Sequence, residues 1–410
     1  MASPTPSESM KPLDLSRWKV VPNVLIGGGG LLALLGFIFN QQQFGFSWLQ
    51  SFMFYLSFCI GGLFLVLMHH AFDASWSVPI RRINEHLAFL FTVMAALFIP
   101  IAVLAPKMYP WMIALSKNEA EHAIKAKYPL FTFPGFYIVS IVCFVIWILL
   151  SWRLRSLSLR QDQTGSVEET MKMRVTAGIG IFLFAISVTL GAIMWMKSLM
   201  AEWFSTMYGV YYFAGSVWTT LATVYFISAA MKAQGPLREV MRDKQFYFIG
   251  SLLFAFTVFY AYVTFAQYFI IWNANMPEET FWYVLREKGS WWDIGQLMIF
   301  GHFFLPFLLL LRIDVKLTWA LMLPLTVWAW LMHYSDMTFN VSPVLHPDGF
   351  VLHWIDLGCV AFMGGVLSKV FLKFFFSHPP FPQRDPRMAE GLDIYVAPST
   401  PVSTASGRAK

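Results

Sequence analysis

Charge is what this 410-residue chain has least of. Asp, Glu, Lys and Arg make up 13% of it, about half the share in a soluble domain. That shortage, with 57% hydrophobic residues and a mean hydropathy of +0.58, excludes a water-soluble globule. It also excludes disorder, which needs low hydrophobicity and high net charge. Cysteine is nearly as scarce. Cys59, Cys143 and Cys359 stand far apart, each inside an apolar run, and no CxxC, CxxCH or Cys/His spacing occurs. Attached c-type haem, iron–sulfur ligation and structural zinc are therefore excluded from the chain's expected chemistry. Any redox metal would sit on a partner or on histidines alone.

What is present in quantity is long apolar runs. Ten of them are read, at about 20–39, 48–68, 87–105, 134–152, 176–198, 209–231, 246–272, 292–311, 317–336 and 350–376. A bilayer core needs about 20 apolar residues per helical span. Backbone in lipid must satisfy its own hydrogen bonds, which a helix does and a lone strand does not. The runs also lack the two-residue alternation of a barrel strand. The expected fold is all-α and integral to the membrane, with ten transmembrane helices. A polar stretch, 1–19, precedes the first run with no small-residue cleavage site after it, so the first span is expected to be retained.

Basic residues set the direction. The first 19 residues, the even-numbered loops and the C-terminal region hold 22 of the 29 Lys and Arg, and the odd-numbered loops hold six. Both termini are thus expected in the cytoplasm of a bacterial cell, and the odd loops in the periplasm. Basic residues spread over many short loops form no nucleic-acid-binding face. In the third loop, 106–133, KNEAEHAIKAK reads as a short amphipathic helix. The tail from Ser377 is rich in Pro, Ser and Thr and is expected to be extended or disordered unless a partner holds it.

Spans two to five and six to nine can be laid over each other as parallel repeats, about 48–198 and 209–336. That gives two four-helix bundles plus two flanking helices within a membrane domain at 20–376. It leaves a leader at 1–19 and a tail at 377–410.

Ionisable groups inside spans each cost about 2.5–3.5 kcal/mol on insertion scales, so each needs a reason. On the periplasmic half lie Glu202, Asp293, His333, Asp336, His353 and Asp356, with His302 near mid-span. On the cytoplasmic half lie His69, His70, Asp73, Glu85, His86, Arg312 and Asp314. His333 with Asp336, and His353 with Asp356, are three apart, so each pair shares a helix face. A carboxylate beside an imidazole makes a proton acceptor; a helix-end cap is the plainer reading of either pair. The two pairs flank one short loop and are expected to line one pocket. His302 is either satisfied by a neighbouring helix or a ligand. Haem ligation would need a second mid-span histidine, and the other histidines lie near span ends. Glu202 reads as an acid at a helix N-terminus, with Lys197 snorkelling outward toward it. Tyr208, Tyr211 and Tyr212 read as interface-belt residues. The His69–His86 group is either a proton inlet or a wetted loop. GGGG at 27–30 reads as helix-packing small residues.

Two stretches carry a resemblance: EWFSTMYGVYYFAGS (202–216) and WYVLREKGSWWDIGQLMIFGHFFLPFLLLLR (282–312). With the ten-span plan they resemble the NrfD/polysulfide-reductase membrane subunits, and more closely the F subunits (ActF) of bacterial alternative complex III. The resemblance implies two four-helix bundles in a quinol:cytochrome c, or quinol:acceptor, oxidoreductase of the inner membrane. It implies no haem or cluster in this chain. Those would sit on a periplasmic iron–sulfur subunit and multihaem cytochrome c subunits, beside a sister NrfD-like membrane subunit. Menaquinol or ubiquinol and lipids would be its ligands, and proton-conducting half-channels its contribution. The carry-over reaches Glu202, Asp293 and His302. Two other classes remain open from the residues: a secondary transporter with parallel repeats, and a structural scaffold.

Overall fold

The computed structural model describes residues 20–119 and 122–392. Among them helix is the only regular structure. The chain opens with α1 (Val20–Phe39) and α2 (Gln41–Ala71), followed by α3 (Val78–Phe89), α4 (Phe91–Leu97) and α5 (Ile99–Met108). Two short helices, α6 (Pro110–Ser116) and α7 (His122–Lys125), lead to α8 (Phe133–Thr164) and α9 (Val167–Trp195). Then come α10 (Tyr208–Gln234), α11 (Asp243–Ala274) and α12 (Pro277–Arg286). Helices α13 (Trp291–Leu297) and α14 (Leu305–Leu310) are joined by a π-helical stretch, Met298–Phe304. The chain closes with α15 (Ile313–Leu317), α16 (Trp319–Val341), α17 (Trp354–Ser377) and α18 (Met388–Gly391).

Sequence chemistry marks the ends. Asn40 caps α2 by accepting from the Gln43 amide, and Thr132 caps α8 by accepting from Gly135. Gly165, at φ +67°, turns the chain out of α8, and Ser166 at once caps α9. The expected polar turn QDQTGSVEET is this hairpin.

Among the described residues, eight helical runs are long and apolar enough to cross a membrane, and nine if the bent pair Ser75–Leu97 and Ile99–Met108, at 51°, is one span. The chain is a multi-pass membrane protein. The count of ten is where expectation and structure differ. The remaining stretch, 317–336, falls on α16, which has 23 residues but less apolarity than the others. His333, Asp336 and Asn340 are the reason, and all three are buried.

Two groups of helices pack side by side. One is α2, α3–α5, α8 and α9; the other is α10, α11, α13–α14 and α16. They meet where α2 lies against α10, the two most enclosed spans. Close approach there rests on Gly61: a Cβ at that position would stand 2.1 Å from Thr220 Oγ1 and 2.7 Å from the Ser216 carbonyl. Outside this pair, α17 packs on α2 and α1 packs on α17. Of the glycine run, Gly29 makes that last contact, since a Cβ on it would meet the Phe362 amide at 2.4 Å.

The turns α2/α3 and α8/α9, the start of α11 and the residues after α17 gather at one end, here called the basic end. The tail is not loose there as far as Leu392. Asp385 pairs with Arg81 and Arg387, the Gln383 amide donates to Asp162, and Gln245 donates to the Gly391 carbonyl. Buried arginines need carboxylates, and the tail supplies one. Residues 393–410, the leader 1–19 and part of the expected third-loop helix lie outside the described residues; of that helix, α7 is described.

Candidate functional site

Four elements converge on one buried spot in the second helix group. From α10 come Tyr208, Tyr211, Gly215 and Trp218, spaced so that they share one face. From α11 come Thr257 and Tyr260. From α16 come His333, Asp336 and Asn340, again on one face. The π-helical stretch brings His302. Pro306, just beyond, has no amide hydrogen to donate back along the helix. The Gly301 carbonyl instead accepts from the Trp328 indole at 2.8 Å. A π-helical turn of this kind re-aims one side chain, and here that side chain is His302.

The imidazole of His302 is fully buried between Trp218 and Tyr260, each ring centroid 3.9 Å away and nearly parallel. Both ring nitrogens lack a hydrogen-bond partner. His333 is also fully buried; its Nε2 lies 2.8 Å from Ser57 Oγ on α2, and its Nδ1 lies 4.0 Å from Asp336 Oδ2. Neither that Nδ1 nor that Oδ2 has a hydrogen bond. The other carboxylate oxygen is well held: Tyr211 donates its hydroxyl to it, and Asn340 donates at 3.2 Å. Asn340 also donates to the Tyr211 oxygen at 2.8 Å and accepts from Tyr208 at 2.9 Å. Tyr260 donates to Tyr211 at 3.3 Å. Gly215 makes room for the ring, because a Cβ there would lie 3.1 Å from His333 Cε1.

Unpaired buried polar atoms cost about 1–3 kcal/mol each. One such atom from each of His302, His333 and Asp336, all within 4.8 Å of one another, defines a place for something that hydrogen-bonds or coordinates. Two histidines and a carboxylate are ligand types that zinc accepts. Spacing argues otherwise. Tetrahedral zinc with bonds near 2.0–2.1 Å sets its ligand atoms about 3.3 Å apart. A water with hydrogen bonds near 2.8 Å sets its partners about 4.6 Å apart. The three donor atoms here lie within 4.8 Å of one another, with 4.0 Å between His333 and Asp336. A separation of 4.0 Å is wider than tetrahedral zinc sets and narrower than a bridging water sets, so a water is held there by slightly bent hydrogen bonds.

The other residues singled out in the sequence divide cleanly. His353 and Asp356 do not share the His333 pocket. They form a capping box: Ile355 donates to His353 Nδ1 at 3.2 Å, and the His353 amide donates to Asp356 at 2.9 Å. Asp356 also belongs to a second polar chain, accepting from Ser47 and from Gln50 at 2.9 Å. Gln50 in turn donates to Tyr334 at 3.0 Å, and Gln43 links Ser47 to His346. Asp293 and Glu202 are exposed and contribute nothing to the buried cluster. Asp293 is in the first turn of α13, where the helix dipole favours an acid. Lys197 is buried, not snorkelling, and lies beside Phe131 and Phe204. Tyr208, Tyr211 and Tyr212 are buried and not belt residues.

At the basic end, His69, His70, Glu85 and His86 do come together, all buried. Glu85 bridges Arg81 at 3.1 Å and Arg82 at 2.9 Å, and Arg82 also pairs with Asp162. His69 Nδ1 lies 2.7 Å from Ser77 Oγ, while the nitrogens of His70 and His86 have no partner. Asp73, half exposed, joins Arg174 at 2.6 Å and Arg387 at 2.7 Å. Arg312 and Asp314 stand apart from this group and pair with each other at 2.7 Å on the surface.

No family model matches this sequence, and no curated protein matches it. The site therefore has to be read from its own residues. Sequence reasoning missed Ser57, Trp218, Tyr260 and Asn340, and misplaced Tyr211. The signal for them was the helical spacing of Tyr211, Gly215 and Trp218 and of His333, Asp336 and Asn340. That spacing shows a shared face but not which neighbour the face meets.

Proposed function

We propose that this chain routes protons within a bacterial inner-membrane quinol:electron-acceptor oxidoreductase of the alternative complex III type. Both termini lie in the cytoplasm, since the basic end carries most of the Lys and Arg. One observation carries the reading: unpartnered atoms of His302, His333 and Asp336 converge in a spot closed on every side. A water bound there passes a proton between carboxylate and imidazole by exchanging which partner donates. The Tyr211–Asn340–Tyr208 chain extends the hydrogen bonds away from it. His69, His70, Glu85 and His86 are the candidate second half-channel, at the cytoplasmic end.

Burial supports proton routing over direct quinol contact at this spot. A quinol ring needs a cleft open to lipid, and His302 is walled in by Trp218 and Tyr260. Haem, iron–sulfur clusters, quinol oxidation and a sister membrane subunit belong to partners in this reading. The interrupted helix α13–α14 is the observation that favours the transporter reading instead.

The test uses the intact complex in liposomes with a pH-sensitive dye. Asp336→Asn and His302→Phe should lower protons moved per electron at least five-fold while quinol oxidation continues. Unchanged proton yield in both variants would falsify the proposal. Isolation of the chain as a lone monomer without haem-bearing partners, with solute uptake on reconstitution, favours the transporter.

A further inference from the structure

A cavity of about 430 Å³ opens between α1, α2, α3, α10, α16 and α17. Its walls are almost wholly hydrocarbon, among them Phe54, Phe58, Ile227, Leu367, Phe371 and Phe375. The hydroxyls in its walls are already engaged: Tyr55 donates to the Val360 carbonyl at 2.9 Å, and Thr223 donates to Thr219 and accepts from Trp330 at 2.9 Å. Gln234 and Ser368, the other polar residues along it, are exposed.

Its position matters as much as its lining. Phe54 on one wall is 5.9 Å, ring to ring, from His333. Phe371 and Phe375 on the opposite wall are each 6.1 Å from His86. The cavity thus separates the buried His333 cluster from the histidines of the basic end. Space would admit water, but water in a cavity needs two to four polar partners, and apolar cavities of this kind stay dry and take up apolar guests. Half-buried Leu25, Phe226, Ile227 and Leu372 line it, and they belong to spans whose surroundings are acyl chains.

We propose that this cavity binds an acyl chain of a membrane phospholipid, and that the chain insulates the two polar clusters from each other. The insulating role rests on the proton-routing reading above; the binding does not. Occupied by hydrocarbon, the cavity cannot fill with a file of water, so a proton cannot cross directly from His86 to His333.

The intact complex would be reconstituted with a phosphatidylcholine carrying a diazirine at the end of one acyl chain, then illuminated and digested. Adducts are expected on Ile227, Met231, Leu367 and Phe371. Ala230→Phe, or Ser368→Trp at the exposed rim, should lower them at least five-fold while adducts on the outer face of α8, at Ile138 and Ile141, stay constant. Equal labelling in wild type and both variants, or recovery of a quinone in place of phospholipid, overturns the binding. Leu367→Ser and Phe371→Ser should raise passive proton leak several-fold in proteoliposomes. Unchanged leak with the expected adducts overturns the insulating role alone.

Discussion

The two buried polar clusters are built on opposite terms. At the basic end, Arg81, Arg82 and Arg387 face Glu85, Asp162 and Asp385, and each of these arginines reaches a carboxylate. In the second helix group, His302, His333 and Asp336 face one another with polar atoms left over. A charge-paired network holds a shape, because each buried charge faces one of opposite sign. A cluster without such charge pairing has a position for a mobile group. His70 and His86 lie beside the charge-paired network with unpaired nitrogens of their own, so the basic end combines a fixed frame with two unengaged imidazoles.

This contrast can be broken by substitution, starting where the effect should be largest. Asp385→Ala leaves Arg81 with Glu85 as its one carboxylate and should cost about 1.5–3 kcal/mol. Thermal unfolding in detergent would measure the cost, and limited proteolysis would show the tail released after Ser377. If stability is unchanged, the frame is not held by the tail. Gly61→Val forces α2 and α10 apart and should cost at least about 1–3 kcal/mol, read as a lower unfolding temperature of the purified protein. Asp336→Asn is isosteric and keeps an acceptor for Tyr211 and Asn340, so it should unfold near the wild-type temperature while, on the proposed reading, lowering protons moved per electron. A loss of folding as large as that of Asp385→Ala would erase the distinction between the clusters.

Acidity gives a finer test. Burial raises the pKa of the Asp385 carboxyl, but Arg81 and Arg387 outweigh it and hold the group down at about 2. A depressed carboxylate stabilises the fold above its unfolded value near 3.8 and loses that contribution as pH falls through about 2. Tail docking should therefore be constant from pH 8 to 5 and weaken only below pH 4, by proteolysis of the tail against pH. The smallest effect belongs to Arg312→Ala. Its exposed pair with Asp314 should contribute under about 1 kcal/mol, and proton yield should not change.

The all-helical membrane fold was legible because apolar runs of about 20 residues have one solution in lipid. The polar residues were legible as exceptions but not as partners. His302, His333 and Asp336 were all singled out, yet their meeting depends on a π-helical turn and on the crossing of α10, α11 and α16. Neither leaves a periodic trace. His353 and Asp356 illustrate the reverse: the same three-residue spacing as His333 and Asp336, used at a helix start to satisfy backbone amides. Asp385 was missed for a third reason. Composition marks a Pro-rich tail as loose, and only the tertiary fold reveals the buried arginines waiting for it.

The modest apolarity of α16 has a consequence for biogenesis. A helix bearing His333, Asp336 and Asn340 partitions poorly from a translocon into lipid on its own, with an aspartate alone opposing insertion by about 2.5–3.5 kcal/mol at mid-helix. Its partners, Ser57 on α2 and Tyr211 on α10, are synthesised earlier. Nascent α16 would thus be received by helices already in the bilayer, and shortening the chain ahead of it should leave it stalled at the membrane surface.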